Sequence, residues 1–259
     1  MEIAGKLAVV TGGAGGIGAG LAQRLAAEGA RGVVVADLDL AGAQSVAQAI
    51  GPQALALRCD VSREADLQAL VQAAEQAFGP VDIFVSNAGI LGRPGGFELE
   101  DALWDTMWKI HGMAHVWAAR AVVPGMVARG GGYFLVTASA AGLLNIVENA
   151  PYGVTKHAAV AFAEWLRIAY GRRGLRVSCL CPQGVDTAMT RGGAGSAGVD
   201  GMLSPDQVAE VVVQTLREER FLALPHPEVL QYLQAKAQDY DRWLGGMQKL
   251  HARHAGEAR

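Results

Sequence analysis

Cysteine is scarce in this chain, and what there is does not pair. Only three occur among 259 residues, Cys59, Cys179 and Cys181. With no apolar leader ahead of the first glycine turn, an odd set of thiols excludes a disulfide framework and predicts buried free cysteines in a reducing, cytoplasmic setting. Charge is thin as well. Asp, Glu, Lys and Arg together make up 18% of the chain, the net charge is −3, and Lys and Arg never cluster, which removes the electrostatic case for nucleic acid or an anionic membrane surface. No apolar run reaches the roughly 20 residues of a membrane helix. No His, Cys and acid group has metal-ligand spacing, so no metal is expected. No linker divides the chain, so a single domain over residues 1–259 is expected, with a small molecule as its partner.

Glycine and apolar residues fill the space that charge leaves. Apolar residues make up 51% and there are 34 glycines, a composition suited to a buried sheet with many tight turns. Short runs such as KLAVVT, GVVVAD, ALALR, VDIFVS, YFLVTA and LRVSCLC alternate with segments of helical apolar spacing. This alternation predicts a doubly wound α/β fold, with a mostly parallel sheet of about seven strands, right-handed crossovers and helices on both faces.

The first run leads into TGGAGGIG and then a helix, the order of a dinucleotide-binding turn. Gly12 suits the tight turn, Gly16 the approach of a pyrophosphate to backbone, and Gly18 the packing of the helix on its strand; with Ile17 they form the phosphate loop. Asp37 ends the second run nineteen residues past Gly18. A carboxylate there would hold free ribose hydroxyls and repel a 2′-phosphate, which predicts NAD, although the same residue could cap the next helix. Asp60-Val61 ends the third run, where Asp60 could equally form a turn, and Ser62 is the expected cap of the helix after it. Further on, Tyr152 and Lys156 stand four apart on a predicted helix and so share a face. Making a phenol useful near neutral pH takes about three pKa units, roughly 4 kcal/mol, and an ammonium about 4 Å away supplies that much at an effective dielectric near 20. Ser139 follows YFLVTA at a strand end, where open α/β sheets place ligand groups.

Ser139 thirteen residues before Tyr-x-x-x-Lys, together with the Gly-x-x-x-Gly-x-Gly loop, resembles the short-chain dehydrogenase/reductase family. The resemblance implies that Tyr152 exchanges the alcohol proton, Ser139 holds the substrate oxygen, and Lys156 binds the nicotinamide ribose. It also implies that Asp60 lies near the adenine, that Asn87 and Gly89 of the Asn-Ala-Gly element lie beside the cofactor, and that Val185 and Thr187 hold the carboxamide. Two positions depart from the pattern. His111 stands where the family has asparagine, keeping the backbone carbonyl and bringing an imidazole that can shuttle protons. Gln183 stands where glycine is usual and is placed to reach the substrate side.

The expected activity is NAD-dependent interconversion of a secondary alcohol and a ketone. Leu91, Leu143, Leu144, Ile146, Val147 and Met189 suggest an apolar substrate of aryl, alicyclic or steroid-like shape. An NADPH-dependent 3-oxoacyl-type reductase is disfavoured by Asp37 and by the missing basic docking patch. A non-catalytic nucleotide-binding regulator is disfavoured by the three catalytic side chains. Residues 188–203 read as a mobile glycine-rich lid, and 226–253 as a helical extension packing on the lid, a partner or nothing. Segments 113–127 and 157–169 carry few charges, which predicts a homodimer or homotetramer with Ala159 and Ala163 in the interface.

Overall fold

Apolar runs that do not alternate need burial on both faces. In strand β1 (Leu7–Thr11) all five residues are buried. The computed structural model describes residues 1–254. In chain order β1 is followed by α1 (Gly16–Ala27), β2 (Gly32–Asp37), α2 (Leu40–Ile50), β3 (Ala54–Arg58), α3 (Glu64–Phe78), β4 (Ile83–Ser86), α4 (Asp101–Trp108), α5 (Ala114–Ala128), β5 (Gly132–Thr137), α6 (Ala141–Leu144), α7 (Ala150–Tyr170), β6 (Leu175–Leu180), α8 (Pro205–Glu218), β7 (Leu222–Ala223), α9 (Glu228–Gln238) and α10 (Tyr240–His254). The strands form one sheet in the order β3-β2-β1-β4-β5-β6-β7. All six pairings are parallel, so every strand ends at the same edge. The order reverses between β1 and β4, and a crevice at such a switch point is where these sheets bind ligands.

Strand side chains alternate between two cores. Val9, Phe84 and Phe134 face α3, α5 and α7, with the two phenyl rings stacked at 5.6 Å. Val10, Val85 and Leu135 face α1, α2 and α8. The predicted cap of α8 is present: Ser204 accepts from the Gln207 N–H at 3.2 Å, and Gln207 returns the bond to the Ser204 N–H at 2.8 Å. Among the described residues no helix is long and apolar enough to cross a membrane.

Four local expectations differ. Ser62 does not cap α3; its N–H and hydroxyl both donate to Asp60 Oδ1, at 3.0 and 2.6 Å, because a short Asx turn satisfies them before the helix begins. The cap of α2 is Asp39, which accepts from the Gly42 N–H at 3.1 Å, so Asp37 is left for another role. The two helices expected over 98–129 form one rod, joined by a π-helical turn at Lys109–Met113. Ala159 and Ala163 are fully buried against the sheet, so the outward face of α7 is a different one: Val154, Ala161, Trp165 and Ile168 are exposed at helical spacing.

The segment 188–203 forms two short 3₁₀ turns, Ala188–Thr190 and Gly195–Gly198. Glu148 holds it by accepting from the Ser196 N–H at 2.7 Å and the hydroxyl at 2.8 Å. Beyond it α9 and α10 pack back over α6. Lys236 Nζ donates to the Leu143 carbonyl at 2.7 Å, the His251 ring to the Val147 carbonyl at 3.0 Å, and Leu144 is buried with Val229, against which Tyr232 and Trp243 pack half-buried. Leu144, with Leu143 packed against the same cluster, therefore anchors this extension and does not line an open pocket.

Candidate active site

The turn after β1 makes an anion cradle. Its helix begins at Gly16 with no side chain bonded to its first N–H groups and no acidic residue in its first turn, which leaves backbone donors and the positive end of the dipole free for phosphate. Glycine is required here for contact reasons. A Cβ on Gly18 would lie 1.9 Å from the Gly12 carbonyl oxygen, and one on Gly16 2.9 Å from Thr187 Cγ2, whereas Gly15 opens onto free space. The loop thus meets Thr187 across a narrow gap, close to Val185, which pairs with Leu203. Asp37 closes the other end. Its Oδ2 accepts from the Ala14 N–H and its Oδ1 from the Asp39 N–H, both at 3.0 Å, so the carboxylate is fixed in place with lone pairs to spare. Asp60, beside Val61, spends Oδ1 on its own turn. These features fit NAD.

At the centre of the edge, Asn87 donates to the carbonyls of Thr11 and Gly12 at 2.9 and 3.3 Å, tying β4 to the glycine turn. The backbone then passes close to the lysine: a Cβ on Gly89 would lie 3.6 Å from Lys156 Nζ and 3.3 Å from His111 Nε2. Lys156 is 3% exposed and donates to the Thr137 carbonyl at 2.9 Å. Burial pushes its pKa down to about 8.

Tyr152 sits in the first turn of α7, and its position is set by Asn149. That side chain accepts from the Tyr152 N–H at 3.0 Å and donates to the carbonyls of Leu91 and Arg93 at 2.7 and 3.3 Å. It is both helix cap and bracket to the loop after β4, and sequence reasoning missed it, although Asn two residues before a first-turn proline is a readable cap signal. The expected tuning of the tyrosine is corrected. Its phenol lies above the ordinary value, raised by burial and pulled back only in part by a hydrogen bond with Ser139. The Lys156 ammonium lies over the ring, 5.6 Å from its centroid, and spends a proton on Thr137. Ser139 Oγ donates to the Pro182 carbonyl at 3.4 Å and accepts from the Ala141 N–H at 3.1 Å.

His111 is fully buried within the π-helical turn. Its Nε2 accepts from the Ile90 N–H at 3.1 Å, which leaves the ring proton on Nδ1, 2.9 Å from Thr155 Oγ1. Thr155 passes its own proton to the Pro151 carbonyl at 2.7 Å. Neither nitrogen is free to shuttle a proton, and the ring packs edge-on against Tyr152 at 5.5 Å. One turn on, His115 Nδ1 bonds Ser86 Oγ at 2.7 Å. Burial, and then the nearby lysine charge, push both histidines down, His111 well below the usual imidazole range and His115 to about 3.

Both rings are neutral in the fold, whereas in the unfolded chain they take protons near pH 6.5. Their contribution to stability is complete above that value and is lost as pH falls below it toward their folded pKa values. Each adds up to about 1.4 kcal/mol of destabilisation per pH unit in that window. Urea melts from pH 7 to 4.5 should show this slope, and a His111→Asn/His115→Gln protein should have a shallower one; equal slopes would refute the assignment.

The family model for short chain dehydrogenases matches residues 6–194. The 1-deoxy-11-beta-hydroxypentalenate dehydrogenase of Streptomyces exfoliatus is 36% identical over 234 residues, covering 85% of this chain and 83% of that protein. The 2,5-dichloro-2,5-cyclohexadiene-1,4-diol dehydrogenase of Sphingobium indicum is 36% identical over 193 residues, covering 73% and 76%. A short-chain dehydrogenase/reductase of Burkholderia phymatum, solved in complex with NAD, superposes with a TM-score of 0.85 at 28% identity, covering 93% of this chain and 96% of that one. With a cradle for NAD and a buried Lys beside a half-buried Ser and Tyr at one sheet edge, the chain belongs to the short-chain dehydrogenase/reductase family and is an NAD-dependent alcohol dehydrogenase or ketone reductase.

Proposed function

We propose that Ser139, Tyr152 and Lys156 oxidise an alicyclic secondary alcohol to its ketone, or run the reverse. The observation that carries this reading is the meeting of these three side chains beside the uncapped end of α1. Ser139 holds the substrate oxygen, and the Tyr152 oxygen receives the hydroxyl proton or returns it. Lys156 binds the cofactor ribose. Bound NAD supplies the hydride acceptor. Gly12, Gly16, Ile17 and Gly18 hold its pyrophosphate, Asp37 its adenosine ribose, Asp60 and Val61 flank the adenine, and Asn87, Gly89, Val185 and Thr187 line the nicotinamide side. His111 acts as a neutral strut between the loop at Ile90 and the catalytic helix. An alicyclic substrate is supported by the ring named in the Sphingobium relative's activity. Residues 188–203 act as the lid.

Tyr152→Phe should abolish nearly all turnover yet leave NADH affinity within about a few-fold, whereas Lys156→Ala should damage both. Proton transfer of this kind is worth on the order of 10²–10⁴, so Tyr152→Phe retaining more than about a tenth of kcat would refute the role. Wild type should bind NADH at least about tenfold tighter than NADPH, and Asp37→Ala should narrow that gap by more than about 1 kcal/mol. Equal wild-type affinities by fluorescence titration would overturn the cofactor assignment.

The outward stripe of α7 supports a homodimer or homotetramer. Trp165 is 55% and Ile168 80% exposed; Glu164 is an exposed charge beside them, whereas the two cations that could have made this face polar point elsewhere. Arg167 folds onto the Val177 and Glu219 carbonyls at 2.8 and 3.1 Å, and Arg120 pairs with Glu64 at 3.1 Å. Light scattering at micromolar concentration should give a multiple of the chain mass that falls in Ile168→Glu. A monomeric wild type would reject the assembly, and an unchanged variant would reject this face.

A further inference from the structure

The segment 188–203 keeps its place without an apolar core. None of its residues is buried, and a cavity of about 590 Å³, lined by Arg191, Ser196, Val199 and Met202 on one side and by Leu250 and His254 on the other, lies between it and α10. A segment with so little apolar contact opens readily unless specific polar bonds hold it. Its stem is closed by backbone: Val185 bridges Leu203, and the Gly184 N–H donates to the Ala197 carbonyl at 2.8 Å. Beyond the stem, two side chains from elsewhere bond to the segment among the described residues. Tyr232 of α9 donates to Asp200 at 3.0 Å, and Glu148 accepts both the N–H and the hydroxyl of Ser196, at 2.7 and 2.8 Å.

The Glu148 tie is the one that reaches the site. A carboxylate that takes two donors from one residue, one on each oxygen, makes a charge-assisted fork that fixes orientation as well as distance. The lid backbone is shaped to meet it, since Gly195 has φ +53° and a Cβ there would lie 2.8 Å from Glu148 Oε1. From α10, His254 Nδ1 lies 3.5 Å from the same oxygen. Glu148 is itself anchored. Its carbonyl accepts from the Gly95 N–H at 2.9 Å, and its neighbour Asn149 caps the catalytic helix at the Tyr152 N–H while bracketing Leu91 and Arg93. One side chain thus joins the lid, whose stem carries Val185 and Thr187 across from the glycine cradle, to the chain that places Tyr152.

We propose that Glu148 is a positioning residue that latches the lid to the start of the catalytic helix and so sets how long the cofactor stays enclosed. It touches no reacting atom and acts through Ser196. This rests on the reading of residues 188–203 as the lid of an NAD site and names the residue that holds it.

Two measurements on the full chain test the latch, for wild type, Glu148→Ala, Ser196→Ala and the double variant. Arg191 is the one Lys or Arg within 188–203, so trace trypsin on the native protein, followed by mass spectrometry, reads lid opening as cleavage between Arg191 and Gly192. Stopped-flow fluorescence reads the dissociation of NADH. Glu148→Ala should be cut at this bond at least about tenfold faster than wild type and release NADH at least about fivefold faster, while cleavage after Arg176 in β6 is unchanged. Ser196→Ala, which keeps the N–H bond and loses the hydroxyl, should be cut at least about threefold faster, and the double variant should stay within about twofold of Glu148→Ala because both changes remove one interaction. Smaller effects of Glu148→Ala in either measurement, additive effects in the double variant, or equal acceleration after Arg176 would overturn the latch. A wild type that binds no NADH overturns the cofactor reading and the retention role with it, whereas the cleavage rates still decide whether Glu148 holds the lid.

Discussion

An ammonium group taken out of water must find its solvation in the protein, and the Lys156 side chain is placed where only backbone can provide it. Its bond to the Thr137 carbonyl joins the catalytic helix to the end of β5, and the surroundings adapt to the charge. Gly89 passes close by, where a Cβ would lie tightly against His111 Nε2 at 3.3 Å. The two histidines nearby stay neutral, chiefly because burial disfavours their charged form and then because a second cation beside the lysine would be repelled. A lysine held near the neutral range is a group whose charge a bound ligand can shift, which makes it useful beside the tyrosine that exchanges the alcohol proton.

Position along the edge follows from parallel pairing. Once all seven strands run one way, the residues just past their C-terminal ends, from Gly12 to Asp37, Asn87, Ser139 and Gln183, share one rim without any of them being close in sequence. The rim is held by small polar side chains more than by charge. Thr11, for instance, receives the N–H groups of Asn87 and Ala88 at 2.9 and 3.2 Å, so two strand ends move as one.

Much of this is legible in the amino-acid sequence because it depends on local rules. Unalternating β-branched runs announce strands buried on both faces, and the glycine spacing announces the phosphate loop. Residues whose roles depend on distant partners are not legible. Asn149 acts across the fold on Leu91 and Arg93; His111 has the chemistry of a proton carrier, yet both its nitrogens are engaged. Lysine tuning of Tyr152 follows from spacing alone, which cannot tell a contact with the oxygen from one over the ring. The outward face of α7 differs from the expected one for a related reason: a helix of mostly small apolar residues has no polar stripe to mark its orientation, and Ala159 and Ala163 suit the tight packing against the sheet.

Helix α10 has no buried residue and is held to the body by contacts such as that of the His251 ring with the Val147 carbonyl. Segments held by few apolar contacts open with free energies far below that of global unfolding. Amide protons in α10 will therefore exchange with solvent long before those of β1 or β5, which are shielded from both faces. The chain that leads into Tyr152 keeps its own ties through such an excursion, since Glu148 accepts from the Gly95 N–H and Asn149 bridges to Leu91 and Arg93. The molecule thus combines a rigid sheet, where the cofactor cradle lies, with an outer helix that can open without disturbing it.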